Sequence, residues 1–164
     1  TLTFTAVASV EAPAPEPEPI TIKGRRPRIL VVDGMETNRF LLEVFLARSG
    51  FDPELASGGE EAIRLASAKQ YDAILMDLQM PDLDGYEAAR RIRAMESGGR
   101  RTPIIALTAS VARGTREKCL AAGMDEHMTK PLDLKRFKSL LNTFIATGPE
   151  SAPTTGQMKI APAN

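Results

Sequence analysis

Three short apolar runs in this sequence each end on a polar residue, a fourth polar residue follows a further short segment, and their three side-chain types complement one another. Ile29 to Val32 ends on Asp33, Ala73 to Met76 on Asp77, Pro103 to Leu107 on Thr108, and Glu126 to Met128 leads to Lys130. Two carboxylates brought to one place raise each other's pKa unless a cation intervenes. Magnesium suits that role, because it is a hard ion that takes carboxylate and backbone oxygens and keeps several waters. A hydroxyl and an ammonium beside it suit a phosphoryl group, whose oxygens need donors and a point charge. The chemistry open to this set is phosphoryl transfer onto the carboxylate of Asp77.

The four residues can act together only if the chain gathers them. Uninterrupted apolar runs of this length suit strands buried on both faces of a parallel sheet. Right-handed βα connections bring the carboxyl ends of such strands to one edge, where open α/β sheets hold their reactive groups. After Asp77, Pro81 stops regular pairing because it lacks an N–H. Asp84-Gly85-Tyr86-Glu87 then opens a helix, with Asp84 as N-cap and Glu87 placed for a reciprocal cap.

Amphipathic helices alternate with the strands, the pattern of successive βα units. Phe40, Leu41, Val44 and Phe45 form a helical stripe that Gly50 ends. Phe51 to Ala56 is a weaker strand, and Ser57-Gly58-Gly59-Glu60 reads as a capping box before a helix burying Ala62, Ile63 and Ala66. The helix opened by Asp84 runs to about Met95, with Arg90, Arg91 and Arg93 as a solvated face. A further helix spans about Thr115 to Ala122, and Leu134, Phe137, Leu141 and Phe144 stripe the last one. Cys119 reads as a small apolar packing residue, and the scattered Met residues as core filling.

The chain has 164 residues, 21 basic and 21 acidic, so net charge does not steer it to nucleic acid or an anionic membrane. One cysteine rules out an internal disulfide framework and fits a reducing cytoplasm. No apolar run approaches a membrane span, and direct membrane contact is not expected. The basic group Lys23, Arg25, Arg26, Arg28 has no aromatic or helical reading element beside it, which argues against a DNA arm. The absence of an initiator Met fits a piece of a larger protein. Residues 1–10 alternate like the last strand of an upstream domain, and 11–26 form a Pro/Glu-rich extended linker. Residues 27–146 are the domain itself, and 147–164 a polar tail expected to be disordered.

Ile29-Leu-Val-Val-Asp33, Met76-Asp-Leu-Gln-Met-Pro81, Asp84-Gly85, Leu107-Thr-Ala109 and Thr129-Lys-Pro131 together resemble the receiver domain of two-component signalling. The Asn38-Arg39 pair and Met124-Asp-Glu-His-Met-Thr-Lys-Pro131 are most similar to receivers fused to hybrid sensor histidine kinases. The resemblance covers about Arg28 to Ala146. Thr1 to Val7 is similar to the closing strand of a histidine kinase ATP-binding domain. The resemblance implies a flavodoxin-like fold: a five-stranded parallel sheet of order 2-1-3-4-5 with helices on both faces. It implies that Asp77 accepts phosphate from a histidine, that Thr108 binds a phosphoryl oxygen, and that Lys130 pairs with the group. It also implies a cis bond before Pro131, magnesium held by Asp33, Asp77 and the Gln79 carbonyl, and output through Thr115 to Ala146. The implied partners are a histidine kinase domain and a histidine phosphotransfer protein. The parent chain would be a histidine kinase, although this stretch lacks a kinase catalytic core.

One position departs from the pattern. The family carries two adjacent acids after its first strand, the second usually a direct magnesium ligand, and here that position is Gly34. Losing an outer-shell partner alone costs on the order of 10–100-fold in metal affinity. Weak magnesium binding is therefore expected, unless Asp33 leans in or Glu36 reaches back. His127 occupies the place of the family's aromatic switch residue, and reads equally as a half-exposed strand histidine without a role. Intact Asp77, Thr108 and Lys130 favour a phosphorelay receiver. Gly34 favours the alternative, a pseudo-receiver that docks and regulates without carrying phosphate.

Overall fold

The computed structural model describes residues 24–96, 101–109, 112–130 and 133–147. Strands and helices alternate: β1 (Arg28–Val32), α1 (Glu36–Arg48), β2 (Asp52–Ala56), α2 (Gly59–Ala68), β3 (Ala73–Asp77), α3 (Gly85–Met95), β4 (Ile104–Thr108), α4 (Thr115–Ala121), β5 (Glu126–Thr129) and α5 (Leu134–Thr147). The five strands form one parallel sheet in the order β2-β1-β3-β4-β5, as the resemblance implied. Strand limits fall within one residue of the sequence reading. The expected terminal segments, the linker up to residue 23, Ser97 to Gly99 and the bond before Pro131 lie outside the described residues.

Alternation along the strands sorts the core into two layers. Leu30, Val32, Ile74, Met76, Ile104 and Ala106 face α2, α3 and α4, meeting Ala62, Ala88, Ala89, Ile92 and Cys119. Ile29, Val31, Ala73, Leu75, Ile105 and Leu107 face α1 and α5, meeting Leu42, Leu46, Phe137 and Leu141. A strand with both faces covered has no polar position to spare, which is why these runs read as continuous apolar sequence. Pro53 is tolerated in β2 because that strand lies at the sheet's edge. Among the described residues no helix is long and apolar enough to cross a membrane.

Several local expectations need correction. The α1 stripe is not the buried one: Leu42 and Leu46 are buried, whereas Phe40 and Leu41 are each 59% exposed and Val44 36%. With Leu42 and Leu46 added to Phe40, Leu41, Val44 and Phe45, the apolar residues of α1 span about 240° of the helix, more than one sheet face can cover. The α2 box also differs. Gly58 is the N-cap and bears no side chain, and Ser57 donates its N–H and hydroxyl to Glu61, not Glu60. Asp84 caps α3 through the Glu87 N–H at 2.8 Å, but the Glu87 carboxylate turns to Arg90 and Arg91. Arg93 is not solvated. Its side chain is 13% exposed and binds Glu96, Asp125 and the carbonyls of Thr102 and Gly123. Met35 and Met95 stand exposed, unlike Met76, Met124 and Met128 in the core.

Candidate functional site

The site lies where the carboxyl ends of β1, β3 and β4 meet the residue after β5. Asp33 is wholly buried and Asp77 nearly so. Their position follows from the register: Val32 pairs with Met76 and Asp77 with Leu107, so each acid is the first group past the apolar layer. Lys130 spans both. Its Nζ is 3.1 Å from Asp33 Oδ2 and 3.5 Å from Asp77 Oδ2. Lys130 reaches this point because its backbone N–H continues the ladder onto the carbonyl of Thr108 at 2.8 Å. Thr108 is buried beside β5, opposite Thr129.

Asp33 is held from several sides. Its Oδ1 accepts from the Met35 N–H at 2.8 Å, and Asn38 Nδ2 lies 3.4 Å from Oδ1 and 3.2 Å from Oδ2. Its backbone carbonyl accepts from Arg39 at 2.6 Å. Asp77 keeps Oδ1 on the Gln79 N–H at 3.1 Å, which leaves Oδ2 turned toward the ammonium. Burial pushes the Asp77 carboxyl above its usual range, and the charge of Asp33 adds to this. The Gln79 amide and Lys130 act in the opposite direction without cancelling it.

Gly34 stands between these loops, and Glu36 is exposed in the first turn of α1. The oxygens available to a metal are those of Asp33 and Asp77 and the Gln79 carbonyl, and the Asp33 oxygens already serve nitrogen donors. Among the described residues no cluster of three or more His, Cys, Asp or Glu could hold a metal. Magnesium takes one or two carboxylates with carbonyl oxygens and keeps several waters, so Asp33, Asp77 and the Gln79 carbonyl are the groups that would hold it. His127 lies one strand away, with its side chain 20% exposed. Its Nδ1 is 3.6 Å from Glu126 Oε1 and is buried without a hydrogen bond.

Three features escaped the sequence reading. Asn38 and Arg39 both bind Asp33, through its carboxylate and its backbone carbonyl, and nothing in their types says so. The outward residues Phe40, Leu41 and Val44 of α1, with the partly buried Phe45, line an open groove of about 580 Å³ that has Asp33 and Lys130 at one end. Asp82 caps a helix that begins 23 residues earlier, a link with no local signal.

The strand order and the reactive edge define a doubly wound α/β domain that works at the switch between β1 and β3. Comparison with known proteins narrows this. The model of the response regulator receiver domain matches residues 29–142, and the chain belongs to that family. It is similar to hybrid signal transduction histidine kinase G of Dictyostelium discoideum, 40% identical over 119 residues, which are 71% of this chain and 4% of that protein. It also resembles the receiver domain of sensor histidine kinase PA1611 from Pseudomonas aeruginosa, solved with magnesium in its active-site cleft. That match is 43% identical, covers 74% of this chain and 98% of the other, and has a TM-score of 0.68. The Saccharomyces cerevisiae receiver domain of Ssk1, solved with the histidine phosphotransfer protein Ypd1, is 27% identical. It covers 79% of this chain and 94% of that one, at a TM-score of 0.69. The chain thus spans a small part of the curated relatives it matches, and its likenesses include receivers of hybrid sensor kinases.

Proposed function

We propose that residues 27–146 are the phosphoacceptor receiver of a hybrid histidine kinase, taking a phosphoryl group from a histidine onto Asp77. The observation that carries this is the Lys130 ammonium 3.5 Å from Asp77 Oδ2, at the edge where Thr108 also ends. In the transfer, Asp77 Oδ2 attacks phosphorus, an O–P bond forms, the N–P bond to the donor imidazole breaks, and the imidazole leaves with its electron pair. Lys130 offsets charge on the equatorial oxygens and the Thr108 hydroxyl donates to one of them. Asp33 keeps Lys130 in place. His127 follows the movement of Thr108 as the switch residue of β5.

The partners in this reading are a kinase histidine domain and a histidine phosphotransfer protein. The apolar groove on α1 supports the second, because it opens beside Lys130 and would seat a partner surface next to the acceptor. Residues 11–26 tether the domain to the preceding part of its kinase, whose cytoplasmic side it serves. Magnesium bound at this site would supply charge neutralisation for the transferring group, but Gly34 reduces its affinity.

Gly34 also supports the second reading, a pseudo-receiver that regulates by docking alone. Phosphate-affinity electrophoresis after mixing with the cognate kinase separates the two, with Asp77→Asn as control. A shifted band absent from the Asn variant is the expected result. No shift, together with retained kinase binding, would establish the pseudo-receiver. A magnesium titration followed by amide shifts tests the metal site. Saturation at sub-millimolar ion, with shifts centred on Asp33 and Asp77, would refute weak binding.

A further inference from the structure

The loop between Asp77 and α3 is tied down at a point the proposed chemistry leaves unused. The Gly59 N–H donates to Asp82 Oδ1 at 3.2 Å and the Glu60 N–H donates to Oδ2 at 3.1 Å. These are the first amides of α2, whose own N-cap is a glycine in extended backbone with no side chain to offer. The approach depends on missing β-carbons. One on Gly58 would lie 2.6 Å from Asp82 Oδ2, and one on Gly59 would lie 2.9 Å from Leu83 Cβ. Burial works against the Asp82 charge, yet the amides of Glu60, Leu83 and Gly59 hold its carboxyl below the usual range.

We propose that Asp82 is a positioning residue for phosphoryl transfer: by capping α2 it fixes the loop that aims the carboxylate of Asp77. The link is short. Asp82 follows Gln79 by three residues, and Gln79 holds Asp77 Oδ1 through its N–H. Pro81 lies between them and fixes its own φ, so little slack remains to absorb movement at Asp82. Met80 and Leu83 pack on the core face shared with α2 and α3, which anchors the loop from below but does not set its height. With Asp82 released, the Gln79 amide is free to drift, and Asp77 loses the contact that turns Oδ2 to Lys130. A displacement of about 1 Å at a reacting atom costs on the order of 100-fold in rate.

This inference rests on Asp77 being the phosphoacceptor, and the test keeps the two apart. Asp82→Ala, Asp82→Asn, and Asp82→Ala combined with Gly58→Ser are compared with the parent. The hydroxyl introduced by Gly58→Ser gives α2 a cap of its own, in space the Asp82 carboxylate has left. Three quantities are read: the unfolding midpoint, the Gln79 amide chemical shift, and the phosphorylation rate with phosphoramidate. Asp82→Ala is expected to move the Gln79 amide and slow phosphorylation about tenfold or more, with Asp82→Asn between it and the parent. The double variant should regain the midpoint but neither the amide position nor the rate. An unmoved Gln79 amide in Asp82→Ala would overturn the proposal, as would a double variant that regains rate together with stability. Asp82→Asn carries the same readouts if the Ala variant does not fold. A parent that takes no phosphate would sink the acceptor reading, while the Gln79 amide still decides whether Asp82 holds the loop.

Discussion

Pro81 Cδ stands 2.9 Å from the point where a β-carbon on Gly34 would sit. The residue that replaces the family's second acid is therefore also the floor on which the loop after Asp77 rests. No real β-carbon keeps such a distance, and a proline ring cannot swing aside as the end of a long side chain can. Steric room and missing charge at position 34 are two separate effects, and they can be told apart.

Gly34→Ala adds the β-carbon without charge, and Gly34→Asp adds both. Where the fold accommodates it, Gly→Ala stabilises by about 0.4–1 kcal/mol through the unfolded chain. Here contact with Pro81 reverses that sign, so Gly34→Ala is expected to lower Tm. Gly34→Asp should lower it further without magnesium, because a third carboxylate joins Asp33 and Asp77 around one ammonium. Millimolar magnesium should narrow the gap between the Asp and Ala variants. Thermal unfolding of the three proteins, with and without the ion, checks this, and a higher Tm for Gly34→Asp in chelator would contradict it.

Asp77 predicts an opposite response. Its carboxyl is pushed up by burial, so the folded state takes a proton more readily than the unfolded chain. The stabilisation from that proton is complete below the unfolded pKa of about 4 and is lost as pH rises through the folded value. At neutral pH the charged carboxylate is thus a cost, and Asp77→Asn resembles the protonated form. The Asn variant should melt above the parent at pH 7, with the gap closing as pH falls toward 4. Melting curves across that range test the sign. A gap that widens on acidification would mean that Lys130 dominates the site.

Most of the architecture was legible because doubly covered strands leave a simple trace. Asp33, Asp77 and Thr108 each break an apolar run, and a break at the carboxyl end of such a run marks the working edge. What stayed hidden was contact between distant segments. Nothing around Arg93 distinguishes it from Arg90 and Arg91, yet it alone turns in to meet Asp125. The Asp82 cap has the same character, joining residues that only the closed fold brings together. On α1, the sequence showed more apolar residues than a sheet face needs but could not say which would be left outside.

Those outward residues carry the partner prediction. Leu41 is more than half exposed and does not belong to the buried core, so Leu41→Arg should stay within about 0.5 kcal/mol of the parent in stability. It should weaken binding to a histidine phosphotransfer protein by roughly tenfold or more, since a charge at the centre of an apolar contact is poorly solvated. Phosphorylation of Asp77 by a small donor such as phosphoramidate should not change. Calorimetric titration beside phosphoramidate labelling separates these effects. Unchanged partner affinity would move the docking face away from α1.

Arg93 supplies the stability prediction with the largest expected size. Its guanidinium reaches two carboxylates and two carbonyls from three directions, with contacts of 2.7 to 2.9 Å. Glu96 and Asp125 are themselves largely buried, and Asp125 also accepts the first N–H of β4 at 2.8 Å. Arg93→Met keeps the stem and removes every one of these bonds, leaving the Thr102 N–H on Glu96 and the Ile104 N–H on Asp125 where each carboxylate had the guanidinium as well. Breaking a buried pair from one side costs about 3–5 kcal/mol. Arg101 still reaches Asp125 at 2.8 Å, which places the expected loss near the lower end. Arg93→Lys should recover only a small part, because one ammonium cannot meet four acceptors set out for a planar fork. Urea unfolding of both variants decides it: a Lys variant as stable as the parent would show that the network acts through charge alone, without the geometry.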